Sequence, residues 1–98
     1  MLDKIKKIQG INHTDFDDMI NTWIEAGKQD LINIGILETL VNEENPYTEL
    51  NPLIETAIIQ FVLSQLDVVN AEMYANSYAL LKDTLRHVSS FYEVSNAI

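Results

Sequence analysis

A chain of 98 residues with 47% hydrophobic residues has the length and composition of one folded domain, which we expect to span residues 1–98. It has no cysteine, so disulfides, thiolate metal sites and a cysteine nucleophile are excluded, and an intracellular setting is favoured. The net charge is −9: residues 1–10 hold three lysines against one aspartate, a sum of +2, and the remainder holds three basic residues against fourteen acids, a sum of −11. This distribution argues against sequence-specific DNA or RNA binding.

The N-terminal segment is predicted to form a short helix over residues 2–9. Leu2, Ile5 and Ile8 recur at every third position, and the stretch "GINHTD" then interrupts the pattern. The segment has lysines but no apolar region, so we do not expect a signal peptide. No window of the chain approaches the ~20 apolar residues that are needed to span a bilayer.

The first main helix is predicted over residues 15–34, with Thr14 or Asp15 as its N-cap. Gly27 lies near the middle of its apolar side, where a missing side chain lets another helix come close, and Gly35 is suited to end the helix in the left-handed conformation. The apolar side comprises Phe16, Met19, Ile20, Trp23, Ile24, Gly27, Leu31 and Ile34.

Two further main helices are predicted, over residues 52–66 and 70–90. The first of them has Asn51 as its cap and Pro52 in the first helical position. The second has one narrow apolar side, which comprises Tyr74, Ser77, Tyr78, Leu81, Leu85 and Val88. No segment indicates a strand with confidence, so the predicted fold is all-α.

Residues 36–51 separate the first two main helices and are predicted to form a long loop. Within it, the stretch "ILETLV" is compatible with either a short helix or a strand. The predicted architecture is therefore a small bundle of three main helices with a short N-terminal helix and one long loop.

The helix at 52–66 is apolar on nearly every side, although flanking amphipathic helices each cover only a ~100–140° sector. Two covers are open: the N-terminal segment and residues 36–51 folding back, or a second copy of the protein. For the second alternative we predict self-association through part of this helix and one carboxylate of the preceding helix, namely Ile54, Ile58, Ile59, Val62, Leu63 and Asp30.

Asp30 is the unusual polar residue of the first main helix. Its helical angle falls within the apolar side, near the C-terminal end, where the helix dipole disfavours an anion. Two interpretations are open. The side chain leans out to water at the edge of the apolar side, or it accepts hydrogen bonds from a loop backbone or a neighbouring chain.

Catalytic, cofactor and metal sites are not predicted. Two histidines and scattered acids give no triad, carboxylate pair or phosphate loop, so we expect no enzyme. His13 beside "DFDD" does not fit a calcium loop, because the glycine at the sixth position and the distal glutamate are absent. The acids suit a helix N-terminus instead. His87 is expected to be exposed, and Tyr74 and Tyr78 are expected to belong to the core.

Three segments taken in order resemble the head–tail connector family of tailed bacteriophages, whose members are also called adaptor, head-completion or DNA-packaging proteins. The segments are "WIEAGKQDLINIGI" (23–36), "NPLIETAIIQFVLSQL" (51–66) and "YANSYALLKDTLRHV" (74–88). The matching positions are Ala26, Asp30, Leu31, Gly35 and Ile36, then Pro52, Leu53, Ile54, Ala57, Ile58 and Val62, and then Ser77, Tyr78, Leu81 and Leu85.

The resemblance implies a structural virion protein of the neck, assembled in the bacterial cytoplasm. It implies a homo-oligomeric ring, dodecameric in the virion, that lies below the portal protein and extends the DNA channel. The ring would bind the portal and the next connector or tail-completion protein, and DNA would pass an acidic lumen without sequence-specific binding. For the portal or tail contact we predict Lys4, Lys6, Lys7, Phe91 and Tyr92.

A second class of function is compatible with the composition. A small acidic chain could be a regulatory or DNA-mimic protein that binds a single protein partner. A mimic needs acids at phosphate-like intervals on one surface, and the helix at 70–90 carries few acids. Light scattering separates the two classes, because a regulator would form stoichiometric complexes as a monomer.

Overall fold

The computed structural model describes residues 1–42 and 51–87, and these form five α-helices and no strand. The all-α prediction is confirmed. Part of the predicted loop, residues 43–50, and the predicted end of the last helix, residues 88–90, lie outside the described residues. The helices are α1 (Leu2–Gln9), α2 (Asp17–Asn33), α3 (Glu38–Val41), α4 (Pro52–Leu66) and α5 (Ala71–Arg86).

Helix α4 is the centre of the bundle, because it contacts each of the other four helices. Its bounds are those predicted. The Asn51 side chain accepts a hydrogen bond from the Leu53 N–H at 2.9 Å, and Pro52 occupies the first turn. Leu53 is 42% exposed, but the other apolar side chains of α4 are buried or half-buried. The buried ones are Ile54, Ala57, Ile58, Ile59, Val62 and Leu63.

The cover of α4 therefore comes from its own chain. Helices α1 and α3 fold back onto it, as the first of the two alternatives requires, while α2 and α5 pack on its other sides. A second copy is therefore not needed to bury this helix. The residues that were assigned to self-association on that ground belong to the core of the single chain; they are Ile54, Ile58, Ile59, Val62 and Leu63.

Helix α2 begins later than predicted. Its N-cap residue is Phe16, and no side chain caps it, so the assignment of the cap to Thr14 or Asp15 is wrong. The reason is a turn in front of the helix, in which the Thr14 carbonyl accepts the Asp17 N–H at 3.1 Å and the His13 Nδ1 accepts the Asp15 N–H at 3.3 Å. The Asp17 N–H is thus bound without the predicted cap.

The apolar side of α2 is narrower than predicted at its start. Phe16 is 42% exposed and Met19 is 39% exposed, whereas Ile20, Ile24 and Leu31 are buried. The later start of the helix accounts for part of the difference, because Phe16 precedes the first turn. Its ring instead lies edge-on to the ring of His13, with centroids 5.3 Å apart.

Two glycines, one within α2 and one just after it, behave as predicted. Gly27 is buried where α2 crosses α4, and a Cβ atom built there would lie 3.0 Å from the Phe61 ring and 3.5 Å from Ile58 Cγ2. Gly35 follows α2 with a φ of 105°. The Ile36 N–H reaches back to the Leu31 carbonyl at 3.1 Å, which ends the helix in a Schellman motif.

The connection that follows contains a short helix rather than a strand. Helix α3 spans Glu38–Val41, and Val41 is fully buried. Helix α5 then runs along α4 with Tyr78 and Leu85 buried and Tyr74 and Leu81 packed on the core. All five helices contribute buried side chains to one hydrophobic cluster.

Candidate functional site

Asp30 is the polar centre of the contact between α2 and α5. The Tyr78 hydroxyl donates a hydrogen bond to Asp30 Oδ2 at 2.5 Å, and Lys82 Nζ donates to the same oxygen at 2.9 Å. We call these three residues the Asp30 cluster. Neither interpretation of Asp30 from the sequence names these partners, which are two side chains of the same chain. The Asp30 side chain is 37% exposed, so it also lies at the edge of the apolar side, as the first interpretation has it.

The charges in the Asp30 cluster support one another. Burial by itself would raise the pKa of the Asp30 carboxyl, but the hydrogen bonds from Tyr78 and Lys82 and the charge of Lys82 outweigh burial and lower it. Burial and the Asp30 carboxylate strongly raise the pKa of the Tyr78 hydroxyl. At neutral pH the cluster therefore holds a carboxylate, a protonated tyrosine and an ammonium group, an arrangement that binds helices together.

The Asp30 cluster is continuous with the helix crossing at Gly27. The rings of Phe61 and Tyr78 meet edge-on, with centroids 5.3 Å apart, and the Phe61 ring also fills the space left by the glycine. The ammonium of Lys82 lies 5.6 Å from the centre of the Tyr78 ring. A path of direct contacts thus joins α2, α4 and α5, so we assign these residues to the stability of the bundle.

The position of Tyr78 in the core is confirmed, but the hydrogen bond of its hydroxyl was not predicted. The signal was present in the spacing. Tyr78 and Lys82 are four residues apart on one side of α5, and Asp30 lies on the apolar side of its own helix. A carboxylate at such a position needs donors, and these two side chains supply them.

The predicted contact residues for the portal or tail are only partly within the described residues. Phe91 and Tyr92 lie outside them. Lys4 pairs with Glu55 at the start of α4, and Lys6 pairs with Asp17 at the start of α2, with Lys6 Nζ 2.8 Å from Asp17 Oδ1. Lys7 is exposed. Two of the three lysines thus bind α1 to the acidic body of the protein.

No group of three or more histidine, aspartate or glutamate side chains that could hold a metal ion occurs within residues 1–42 and 51–87. His13 Nδ1 lies 3.8 Å from Asp15 Oδ2 at an exposed position. His87 is exposed at the end of α5, as predicted. In the same described ranges, no helix combines the length and hydropathy that crossing a bilayer would require.

Exposed apolar side chains after α4 form the feature that the sequence analysis missed. Val68 and Val69 in the turn before α5 are 87% and 90% exposed, and on α5 Met73 is 55% and Leu80 is 72% exposed. Met73 and Leu80 are seven residues apart, which places both on the side of α5 opposite its buried residues Tyr78 and Leu85. We call these four residues the α5 outer surface.

The turn that carries the two valines is itself well ordered by hydrogen bonds. Asp67 Oδ1 accepts the Asn70 N–H at 3.0 Å, and Asp67 Oδ2 lies 3.2 Å from both Asn70 Nδ2 and Gln9 Nε2. The backbone hydrogen bond from Asn70, followed by the side-chain bonds from Asn70 and Gln9, lowers the pKa of the Asp67 carboxyl. Val68 and Val69 are thus exposed in a turn that is held by hydrogen bonds.

The described residues define a small helical bundle with a complete core of its own, a basic N-terminal helix bound to an acidic body, and an apolar outer surface on its last helix. Residues 1–90 match the sequence model of a family described as "Phage connector protein". Because the match spans most of the chain, the protein belongs to this family and has a role in the phage head–tail connector. No curated protein and no solved structure matches the chain.

Proposed function

We propose that this protein is a structural component of the phage neck that forms a ring below the portal, extends the DNA channel and joins the capsid to the tail. The family match over residues 1–90 carries this proposal. The ring is homo-oligomeric, dodecameric in the virion, and is assembled in the bacterial cytoplasm. The role is structural and not catalytic.

The surfaces that face a neighbouring copy must be those that the single chain leaves exposed. Helix α4 is excluded because its own chain buries it, whereas the α5 outer surface presents four large apolar side chains to water. Isolated exposed apolar residues are ordinary, but several of them on one helix and the turn directly before it are typical of a contact surface. We therefore place one subunit contact of the ring at the α5 outer surface.

The contacts to other neck components use different parts of the chain. The portal and the next connector or tail-completion protein bind through the basic N-terminal helix, where Lys7 is exposed, and through Phe91 and Tyr92. The net charge of −9 suits a lumen whose carboxylates repel the DNA backbone, so that DNA passes without sequence-specific binding.

Light scattering and electron microscopy of the purified chain, alone and mixed with the portal protein of the same phage, test the proposal. We expect rings to form on the portal or at high protein concentration. The variant Leu80→Glu puts a charge on the α5 outer surface and should prevent ring formation, while Asn21→Glu adds the same charge to an exposed position of α2 and should not. A chain that stays monomeric with the portal and binds one host protein instead would contradict the proposal.

A further inference from the structure

Helix α1 differs from the rest of the bundle in the sign of its charge. It carries three lysines and one aspartate, a sum of +2, against −11 for the remainder of the chain. Its lysines bind carboxylates at the starts of two other helices. Lys4 pairs with Glu55 of α4, and Lys6 pairs with Asp17 of α2, where both side chains are largely shielded from water. The position of α1 is thus set by charge complementarity.

The apolar part of this contact is small. Ile5 is the one residue of α1 that is buried, and it is fully buried, whereas α4 buries six residues. Gln9 adds a hydrogen bond to Asp67 at 3.2 Å, beyond the end of α4. The surface that α1 occupies, which we call the seat of α1, therefore takes up Ile5 completely and Leu2 in part, and three carboxylates border it. This is a surface that recognises a short basic amphipathic helix.

The connection from α1 to α2 leaves room for α1 to move as a unit. Gly10 ends α1 with a φ of 69°, and no atom lies within 4 Å of a Cβ atom built there. Residues 12–16 are exposed at every position. The seven residues from 10 to 16 can span about 23 Å when extended.

We infer that the seat of α1 also accepts α1 of a second copy, so that neighbouring subunits exchange their N-terminal helices. In a head-to-tail arrangement each subunit donates α1 to the next and receives α1 from the previous one, and the exchange closes a ring. The contacts in the exchanged state are those seen here within one chain. The inference rests on the proposed self-assembly for the identity of the partner, but the contact it uses is separate from the α5 outer surface.

Two charge-reversed variants of the full chain test the exchange. The first, Lys4→Glu with Lys6→Glu, has an acidic α1 and an acidic seat. The second, Asp17→Lys with Glu55→Lys, has a basic α1 and a basic seat. Neither can seat its own α1 favourably, but each α1 matches the seat of the other variant. The chain with all four changes restores complementary charges within one molecule and is the control.

We expect each variant alone to leave α1 unseated, and the equimolar mixture to form complexes that contain both variants, detected by light scattering and native mass spectrometry. Failure of the two folded variants to associate when mixed would overturn the inference. If circular dichroism shows that a double variant is unfolded, the single variants Lys6→Glu and Asp17→Lys are mixed instead. Their association, or its absence, decides in the same way. If the unaltered protein forms rings on the portal but the mixed variants do not associate, the exchange of α1 is refuted and the proposed function is not.

Discussion

Removing the Tyr78 hydroxyl is the most direct test of the Asp30 cluster. In Tyr78→Phe the ring keeps its contact with Phe61, and Asp30 keeps the ion pair with Lys82, so that only the 2.5 Å hydrogen bond is lost. A hydrogen bond to a charged group contributes roughly 1.5–3 kcal/mol to the free energy of unfolding. The Asp30 side chain is 37% exposed, so water replaces part of the bond and we expect a loss of about 1.5 kcal/mol.

A loss of this size lowers Tm by roughly 6–12 °C in a chain of this length. Thermal unfolding and urea unfolding followed by circular dichroism measure it. Tyr74→Phe is the matched control, because Tyr74 is half-buried one turn earlier on α5 and its hydroxyl has no partner among the described residues. An equal and small effect of both substitutions would refute the assignment of a stabilising bond to Tyr78.

The same variant has a signature at alkaline pH. Because the pKa of Tyr78 is raised in the folded protein, by burial first and then by Asp30, the unfolded chain releases this proton first as pH rises through about 10. The folded state then binds more protons than the unfolded state, so stability falls with rising pH. The Tyr78 contribution is full below about pH 10 and is lost above it, and Tyr78→Phe should show a shallower alkaline decline.

At acid pH the dependence is opposite, because stability falls as pH falls. The pKa of Asp30 is lowered in the folded protein, because the bonds from Tyr78 and Lys82 outweigh burial, so its contribution is full above about pH 4 and is lost as pH falls through the lowered value. The free energy of unfolding of the unaltered chain, measured against pH, should therefore fall at both the acid and the alkaline end. A Tyr78→Phe protein with an unchanged alkaline curve would show that the hydroxyl is not held by Asp30.

Three further substitutions test other contacts. Gly27→Ala should destabilise the protein by about 1 kcal/mol, because strain from a Cβ atom 3.0 Å from the Phe61 ring exceeds the gain in helix propensity; a rise in Tm would show that the ring moves aside freely. Asn51→Ala removes the cap of α4 and should reduce the free energy of unfolding by about 1 kcal/mol, whereas Asn12→Ala, at an exposed loop position, should not. Ile5→Ala should cost roughly 2–5 kcal/mol and speed hydrogen exchange in α1 above all; exchange that rises equally in every helix would contradict a separately seated α1.

The features that were predicted correctly are set by local chemistry. Asn51 followed by Pro52 fixes the start of α4 through one side-chain bond and one missing N–H, and both operate within four residues. Gly35 ends α2 because only a residue without a side chain adopts its φ of 105° readily. Gly27 marks a close helix approach because nothing else explains a glycine in an apolar helix side. Each of these positions can be interpreted without knowing the rest of the fold.

The features that were predicted wrongly depend on packing between distant segments. Whether α4 needs a second copy depends on how much of it α1 and α3 cover, and helical periodicity does not give the direction in which a short segment folds back. The bonds of Asp30 to Tyr78 and Lys82 join positions 48 and 52 residues apart. In the turn before α2 the Thr14 carbonyl accepts the Asp17 N–H, so no side chain nearby caps the helix.

A bundle that encloses its own central helix can fold before any assembly partner is present. Under the proposed ring assembly, folding of the subunit and construction of the neck are separate events, and construction depends on the contacts that the single chain leaves exposed. In the proposed ring, subunits with complete cores would not polymerise merely to bury apolar surface of α4.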